Sequence, residues 1–270
     1  MRKIPVVIPF FREHEKLERC LAHLRAQTYA NVDVFVRDNT HDNIYFTAAV
    51  NEGLKRYCYD PEIDQVVVLN QDAYLAPDAL ARLDEHLHTH PRCGIACPVQ
   101  KATDGRVSWA GSLQAFPSGR HRTDAPVPGT APFETPWANG AAFMVRTEVV
   151  REIGLLDKNM KFICSDADFS FSARARGWTV DVVPDALCEH SLSTSAGRPN
   201  LELSLVMIND ILHFGRKWLS GDLYKGLALE GPSLTRTGVR LEMEKLERVR
   251  DEIVRQFQDA QIAKRASEAV

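Results

Sequence analysis

The chain has 270 residues, of which 44% are hydrophobic and 26% are charged. This composition is typical of a folded globular protein, and it excludes a disordered chain, a collagen-like repeat and a small disulfide-rich domain. The 33 basic and 36 acidic residues give a net charge of -3. That balance argues against a nucleic-acid-binding protein, because such proteins usually carry a basic excess.

The cysteines and the apolar runs predict a cytoplasmic protein. Six cysteines are spread widely along the chain, and residues 1–10 lack the apolar core of a secretory signal. We therefore expect free thiols in a reducing compartment. No run approaches the roughly 18 apolar residues of a membrane span, so any membrane contact would be peripheral, at the inner face of the cell membrane.

The first half of the chain alternates strand and helix patterns. Short apolar runs predict strands at 4–8, 32–36 and 66–69, and apolar residues at helical spacing predict helices at 17–24, 44–57 and 78–88. Gly53 weakens the second helix. This alternation is typical of parallel βαβ units, whose ligands bind beyond the carboxyl ends of the strands.

The second half is less regular, and its proline-rich segment 98–136 predicts a long loop with a short strand at 107–109. Further strands are expected at 141–145 and at 178–183, where Pro184 would close the strand. Helices are expected at 147–153, capped by Thr147, at 166–176, ending at Gly177, and at 201–218 and 241–260. Together these elements predict an α/β fold with a Rossmann-type, mostly parallel sheet flanked by helices and a C-terminal helical extension.

Two carboxylates follow predicted strands. Asp38 could accept hydrogen bonds from a ribose or a base, and Asp72 could hold a divalent cation. For each residue the alternative is a turn that bonds its own backbone. The pair carries more weight than either residue alone, because both carboxylates project over the same edge of a parallel sheet.

A second acidic segment reads Ser165-Asp166-Ala167-Asp168. Ser165 is a candidate helix N-cap, and an acidic first turn suits the helix dipole, which is a strong alternative for Asp168. A carboxylate at the mouth of a cleft could instead act as a general base. His190 follows the last predicted strand, and its imidazole could bind a cation or a phosphate.

Five segments of the chain occur in a characteristic order. They are Val6-Val7-Ile8-Pro9-Phe10, Arg37-Asp38-Asn39-Thr40, Leu69-Asn70-Gln71-Asp72, Asn139-Gly140-Ala141-Ala142-Phe143-Met144-Val145, and Ser165-Asp166-Ala167-Asp168 with Arg174 and Gly177-Trp178. This set resembles the family 2 inverting glycosyltransferases of the GT-A fold, and most closely their bacterial rhamnosyltransferase-like branch. The resemblance covers roughly residues 3–190.

The resemblance implies roles for individual residues. Asp166 would be the general base, and Asp72 with His190 would hold Mg²⁺ or Mn²⁺ on the donor diphosphate. The implied nucleotide-binding residues are Pro9, Phe10, Arg12, Asp38, Asn39, Asn70 and Gln71, and the implied acceptor-binding residues are Trp137, Asn139, Gly140 and Asp168. Asn70 replaces the first acid of the family's DxD motif and Ser165 replaces the acid before the base. Metal dependence and the choice between Asp166 and Asp168 therefore stay open.

The resemblance also implies a domain plan and a reaction. Residues 1–200 would form the catalytic domain, with a nucleotide-sugar-binding half at 1–100 and an acceptor-binding half at 101–200, followed by a helical extension at 201–270. One sugar would move from a nucleoside-diphosphate sugar to a saccharide or lipid-linked saccharide, in bacterial cell-surface polysaccharide or glycolipid synthesis. A sugar-phosphate nucleotidylyltransferase is disfavoured, because segment 9–13 lacks the glycines of a phosphate loop. A catalytically silent nucleotide-sugar-binding module is the other alternative.

The C-terminal region carries two apolar features. Phe214, Trp218 and Leu219, with Arg216 and Lys217, could dock on an anionic membrane surface or pack on the catalytic domain, and we favour packing. A thin stripe follows at Val249, Ile253, Phe257 and Ala260. It could pack on the main body or on a second copy in a homodimer.

Overall fold

The computed structural model describes residues 2–127, 129–190, 200–219 and 236–268. The strands within these residues are β1 (Ile4–Phe10), β2 (Val32–Asp38), β3 (Gln65–Leu69), β4 (Ala73–Leu75), β5 (Cys93–Lys101), β6 (Val107–Trp109), β7 (Ser112–Gln114), β8 (Arg120–His121), β9 (Phe133–Glu134), β10 (Ala142–Arg146) and β11 (Thr179–His190). The helices are α1 (His14–Arg25), α2 (Tyr45–Tyr57), α3 (Ala79–Thr89), α4 (Thr147–Ile153), α5 (Ser165–Arg174), α6 (Leu201–Trp218) and α7 (Arg236–Glu268).

One nine-stranded sheet organises the fold. Its order is β2-β1-β3-β10-β5-β11-β4, with β6 added on β5 and β9 on β11, while β7 and β8 form a separate pair. Strands β1, β2, β3, β5 and β11 run in one direction, and β10 lies antiparallel between β3 and β5. The predicted α/β fold with a mostly parallel sheet is confirmed, and the carboxyl ends of those five strands meet at one edge, called the carboxyl edge below.

The helices cover both faces of the sheet. In β1, Val6 and Ile8 pack under α1 and α3, whereas Val7 packs under α2 on the opposite face. This alternation follows from the two-residue period of a strand. Each fully buried side chain of this kind contributes about 1.5–3 kcal/mol relative to its exposed state, so a strand buried on both faces is strongly held.

The predicted loop at 98–136 is wrong at its start, because β5 runs through Pro98 to Lys101. Proline cannot donate a ladder hydrogen bond, and it is tolerated here because β10 pairs with β5 only at Ile95 and Ala96. Pro184 likewise does not close β11. The register between β5 and β11 shifts after Val183, and this bulge lets β11 continue to His190.

Two predicted helix caps are also wrong. Arg146 and Cys164 occupy the N-cap positions of α4 and α5, so Thr147 and Ser165 are the first helical residues. Their hydroxyls are used elsewhere. The Thr147 hydroxyl donates to the Ile63 carbonyl at 2.8 Å, and the Ser165 hydroxyl lies 2.8 Å from that of Thr47.

The C-terminal aromatic residues pack inside the molecule. Phe214, Trp218 and Leu219 are buried in a cluster with Phe171 of α5, and Arg216 pairs with Glu247 of α7 at 2.7 Å. The packing interpretation is confirmed for these residues, and the membrane-docking interpretation is wrong for them. Helix α7 packs on α6 through Met243 and Leu246. In its predicted apolar stripe Val249 is exposed, Ile253 and Phe257 are half-buried, and the side chain of Ala260 lies outside the described residues. The homodimer stays a prediction.

The predicted domain boundary at residue 200 follows segment 191–199, which lies outside the described residues. Within the described part of the chain, no helix is both long enough and apolar enough to cross a membrane. All six cysteines are free, as expected, and all except the half-buried Cys164 are buried.

Candidate active site

The first two predicted binding segments lie side by side at the carboxyl edge. Phe10 at the end of β1 is the register partner of Asp38 at the end of β2. The Asn39 amide donates to the Phe10 carbonyl at 2.8 Å, which keeps the two strand ends together. Asp38 is exposed, and one of its oxygens accepts from the Thr40 amide at 2.7 Å. The hydrogen bonds from Thr40 lower the pKa of Asp38, so its carboxylate is ionised at neutral pH.

Gln71 ties the loop after β3 to the loop after β1. Its Oε1 accepts from the Phe11 amide at 2.6 Å, and its Nε2 donates to the Phe11 carbonyl at 3.3 Å. The Phe10 ring is buried beside His14, whereas Arg12 is exposed in a left-handed conformation, with φ of 64°. Gln71 therefore shapes the predicted nucleotide-binding edge through the backbone, and Phe10 turns its side chain inward.

Asp72 and His190 face each other at the same edge. Strand β4 pairs with β11 so that Ala73 lies opposite His190, and the His190 Nε2 is 3.6 Å from the Asp72 Oδ1. The Lys16 ammonium of α1 lies 3.9 Å from the other Asp72 oxygen. The sheet topology thus brings together a carboxylate, an imidazole and a cation from three distant parts of the chain.

The carboxylate of Asp72 suits Mg²⁺ or Mn²⁺, which prefer oxygen ligands, and the imidazole of His190 suits a transition-metal ion such as Mn²⁺ better than Mg²⁺. The Nδ1 of His190 lies 3.1 Å from the Gln100 Oε1. With Nδ1–H donating to Gln100, the Nε2 lone pair points toward Asp72, which is the usual arrangement of a metal-binding histidine. Burial lowers the pKa of His190 against the opposing effect of Asp72, and the neutral imidazole is the form that binds a metal.

Asp166 lies in the first turn of α5 and is held by two backbone amides. Its carboxylate accepts from Gly140 and from Ala167, each at 2.8 Å. Gly140 is followed by Ala141, whose carbonyl accepts from the Asn70 amide at 2.8 Å. A short path of hydrogen bonds therefore connects Asp166 to the Asn70-Gln71-Asp72 segment.

Asp166 and Phe46 pack closely against Gly140. A Cβ added to Gly140 would lie 3.1 Å from the Asp166 Oδ2 and 3.2 Å from the Phe46 ring. Burial raises the pKa of Asp166, although the amide hydrogen bonds oppose that shift. A carboxylate with a raised pKa is better matched to proton abstraction near neutral pH.

The predicted acceptor-binding residues have separate environments. Asn139 caps its own turn, with its side-chain oxygen accepting from Ala141 at 2.9 Å. The buried indole nitrogen of Trp137 has no hydrogen-bond partner among the described residues. Asp168 points into the protein, where it meets Lys217 and the Trp218 indole nitrogen, each at 2.7 Å. That placement gives Asp168 a structural role between α5 and α6 and does not support acceptor binding.

Three residues that lie near these side chains were not identified from the sequence. Lys16 lies beside Asp72, Gln100 orients His190, and Asp210 of α6 accepts hydrogen bonds from the segment before Asp166. Helical spacing could have placed Lys16 at the start of α1. No local pattern could have paired Gln100 with His190, because they are 90 positions apart.

A family model described as glycosyl transferase family group 2 matches residues 65–239, which is more than half of the chain. The chain belongs to this family. The match takes in Asp72, Asp166 and His190, but not the Phe10 and Asp38 strand ends.

Solved structures of glycosyltransferases share the fold of this family 2 member. GalNAc-T7, solved with UDP, GalNAc and Mn²⁺, has a TM-score of 0.56 at 14% identity, over 84% of this chain and 54% of that one. TarS of S. aureus has a TM-score of 0.55 at 14% identity, over 82% and 40%. The chain thus spans about half the length of these proteins, and it matches no curated protein sequence significantly.

Proposed function

We propose that this family 2 glycosyltransferase transfers one sugar, with inversion, from a nucleoside-diphosphate sugar to an acceptor hydroxyl. The observation that carries the proposal is the link from Asp166 through Gly140 and Ala141 to the segment that ends at Asp72, which faces His190. A candidate base and a candidate diphosphate site therefore lie at one edge of one sheet.

Donor binding is assigned to the carboxyl edge. The exposed carboxylate of Asp38 would accept hydrogen bonds from the ribose or the base. Asp72 and His190 would hold a divalent cation, which when bound stabilises the negative charge that develops on the departing diphosphate. Lys16, beside Asp72, would add a positive charge for the phosphates. The Mn²⁺ and UDP held by GalNAc-T7 support this assignment.

Asp166 would take the proton of the acceptor hydroxyl. A hydroxyl is a weak nucleophile, and a positioned base typically contributes about 10²–10⁴ in rate. Attack on the face opposite the leaving group inverts the anomeric carbon. The amides of Gly140 and Ala167 would hold the carboxylate of Asp166 in place, and Trp137, Asn139 and Gly140 belong to the acceptor side of this proposal.

We also infer the finer assignments from the family resemblance. They are a rhamnosyltransferase-like donor preference, a saccharide or lipid-linked saccharide acceptor, a role in bacterial cell-surface polysaccharide or glycolipid synthesis, and a place at the cytoplasmic face of the membrane. A panel of UDP-, GDP- and dTDP-activated sugars, read as released nucleoside diphosphate, tests the donor preference.

The Asp166→Asn variant tests the proposed base. It is expected to lower the turnover number by about 10²–10⁴ while binding the nucleoside diphosphate as tightly as the wild type does. The control is Asp104→Asn, which makes the same change in the exposed turn between β5 and β6. Normal turnover by Asp166→Asn would remove Asp166 from its role. Nucleotide binding by a wild type that never releases product would favour the silent binding module instead.

A further inference from the structure

The segment that leads into Asp166 is anchored by a carboxylate from another part of the chain. The backbone amides of Lys161, Phe162 and Ile163 donate to the side chain of Asp210 at 2.9, 2.7 and 3.0 Å. Asp210 lies within α6 and is only 1% exposed. Hydrogen bonds to an ionised acceptor are about twice as strong as neutral ones. Three N–H groups that converge on one buried carboxylate therefore hold this segment firmly.

The opposite side of the same segment is held by α2. The Thr47 amide donates to the Lys161 carbonyl at 3.0 Å, and the Thr47 hydroxyl bonds the Met160 carbonyl and lies 2.8 Å from the Ser165 hydroxyl. Amides on one side and carbonyls on the other are thus satisfied by two different helices. The segment is held in position by contacts from these two helices and not by a regular element of its own.

The chain then makes a strained turn into α5. Cys164 adopts a left-handed conformation, with φ of 67°, which a residue other than glycine adopts only when its surroundings impose it. Asp166 follows two residues later. The direction in which α5 begins, and with it the position of the Asp166 carboxylate, therefore depends on the anchored residues just before the turn.

We propose that Asp210 is a positioning residue that holds Asp166 in its reactive place through the backbone of residues 161–163. This inference rests on the proposed function of Asp166. Every hydrogen bond that Asp210 accepts among the described residues comes from a backbone amide of this segment, so it would act on the reaction through geometry. A displacement of about 1 Å can reduce a rate by about a hundredfold.

The test compares two matched variants. Asp210→Asn keeps the size of the side chain but removes the charge and one acceptor oxygen, and it is expected to lower kcat by about 10- to 100-fold while the donor KM stays within about twofold. The control is Asp181→Asn, which makes the same change at a buried carboxylate near the start of β11, bonded to His86 at 2.9 Å. It is expected to lower Tm but keep kcat.

Hydrogen exchange provides a readout without turnover. Amides 161–163 are expected to exchange faster in Asp210→Asn than in the wild type, and to be unchanged in Asp181→Asn. If Asp210→Asn does not fold, Thr47→Val loosens the same segment from its other side and is expected to lower kcat by about tenfold.

Two results would overturn the inference in different ways. Full kcat in a folded Asp210→Asn or Thr47→Val protein, alongside a wild type that depends on Asp166, overturns the role of Asp210 alone. An active Asp166→Asn protein overturns the proposed base, and the positioning role falls with it.

Discussion

At the scale of single residues, the pKa values of two carboxylates at the carboxyl edge are shifted in opposite directions. The hydrogen bonds from Thr40 lower the pKa of the exposed Asp38. Burial raises the pKa of Asp166 in spite of two amide donors. These opposite shifts match the two proposed roles, because a permanently ionised carboxylate suits an acceptor of hydrogen bonds and a raised pKa suits a base.

The raised pKa predicts the pH dependence of transfer. Asp166 must be ionised to accept a proton, so activity should fall as the pH drops through its raised pKa. The acid limb of kcat/KM should therefore lie above the value of about 3.9 expected for an ordinary aspartate. Initial rates measured across this range, with circular dichroism to confirm folding at each pH, check the prediction. A limb at or below the ordinary value would contradict it.

At the scale of elements, side chains of α6 hold the residues on both sides of Asp166. Asp210 holds residues 161–163, and Lys217 bridges Asp157 at 3.2 Å and Asp168 at 2.7 Å. Although burial opposes it, hydrogen bonding from Asn159 and Lys217 lowers the pKa of Asp157 to about 2. Both flanks of Asp166 are thus attached to one helix.

The Lys217→Met variant should destabilise the protein. It keeps the apolar stem but leaves the carboxylate of Asp168, which is 2% exposed, without its cation. Removing one partner of a buried pair costs about 3–5 kcal/mol, and we expect about 2 kcal/mol here because the Lys217 side chain is 36% exposed. Tm should fall by about 4–8 °C.

The matched control for Lys217→Met is Lys245→Met. Lys245 lies on the exposed side of α7, where its ammonium is 3.7 Å from Glu242. Exposed pairs of this kind contribute about 0–1 kcal/mol, so its Tm should barely change. Equal Tm values for the two variants would show that the Lys217 bridge does not stabilise the fold.

The elements were predictable where their signals are local. The apolar periodicity of the first 90 residues predicted β1 to β3 and α1 to α3, and α6 was predicted at its observed bounds. Strand β5 was not predictable, because its partners β10 and β11 lie far along the chain and Pro98 reads as a loop. Gly53 weakened the prediction of α2, yet a Cβ there would lie 2.4 Å from Val7, so the close packing of α2 on β1 requires it.

At the scale of the whole molecule, the site is assembled by the sheet and not by any one segment. Residues that follow strands could be predicted from sequence, because parallel strands end at one edge. The pairing of Asp72 with His190 came only from the family resemblance, because no local pattern links the two positions. The contact between Asp166 and Gly140 could not be predicted, since a backbone amide makes it. Asp210 was not identified from the sequence either, because its partners are backbone amides far from it along the chain.

Donor binding should stabilise the whole fold. A nucleoside diphosphate at about 100 times its Kd adds about 2.7 kcal/mol, which corresponds to a rise in Tm of about 5–10 °C. We expect the preferred base to give this rise in a thermal-shift panel with Mn²⁺, and a smaller one without it. Asp72→Asn should lose the Mn²⁺-dependent part, whereas Asp104→Asn should keep it. A wild-type Tm that Mn²⁺ does not affect would contradict the proposed cation site.

The position of β2 at one end of the sheet has a consequence for solubility. In the described structure β2 pairs with β1, so its outer side offers backbone groups to which a strand from another molecule could add. Its sequence, Val32-Asp33-Val34-Phe35-Val36-Arg37-Asp38, places charges at both ends of an apolar run. Charged side chains on an outer strand discourage such pairing. Neutralising Asp33 and Arg37 together would leave a short, mostly apolar strand at the edge of the sheet and should promote aggregation during expression.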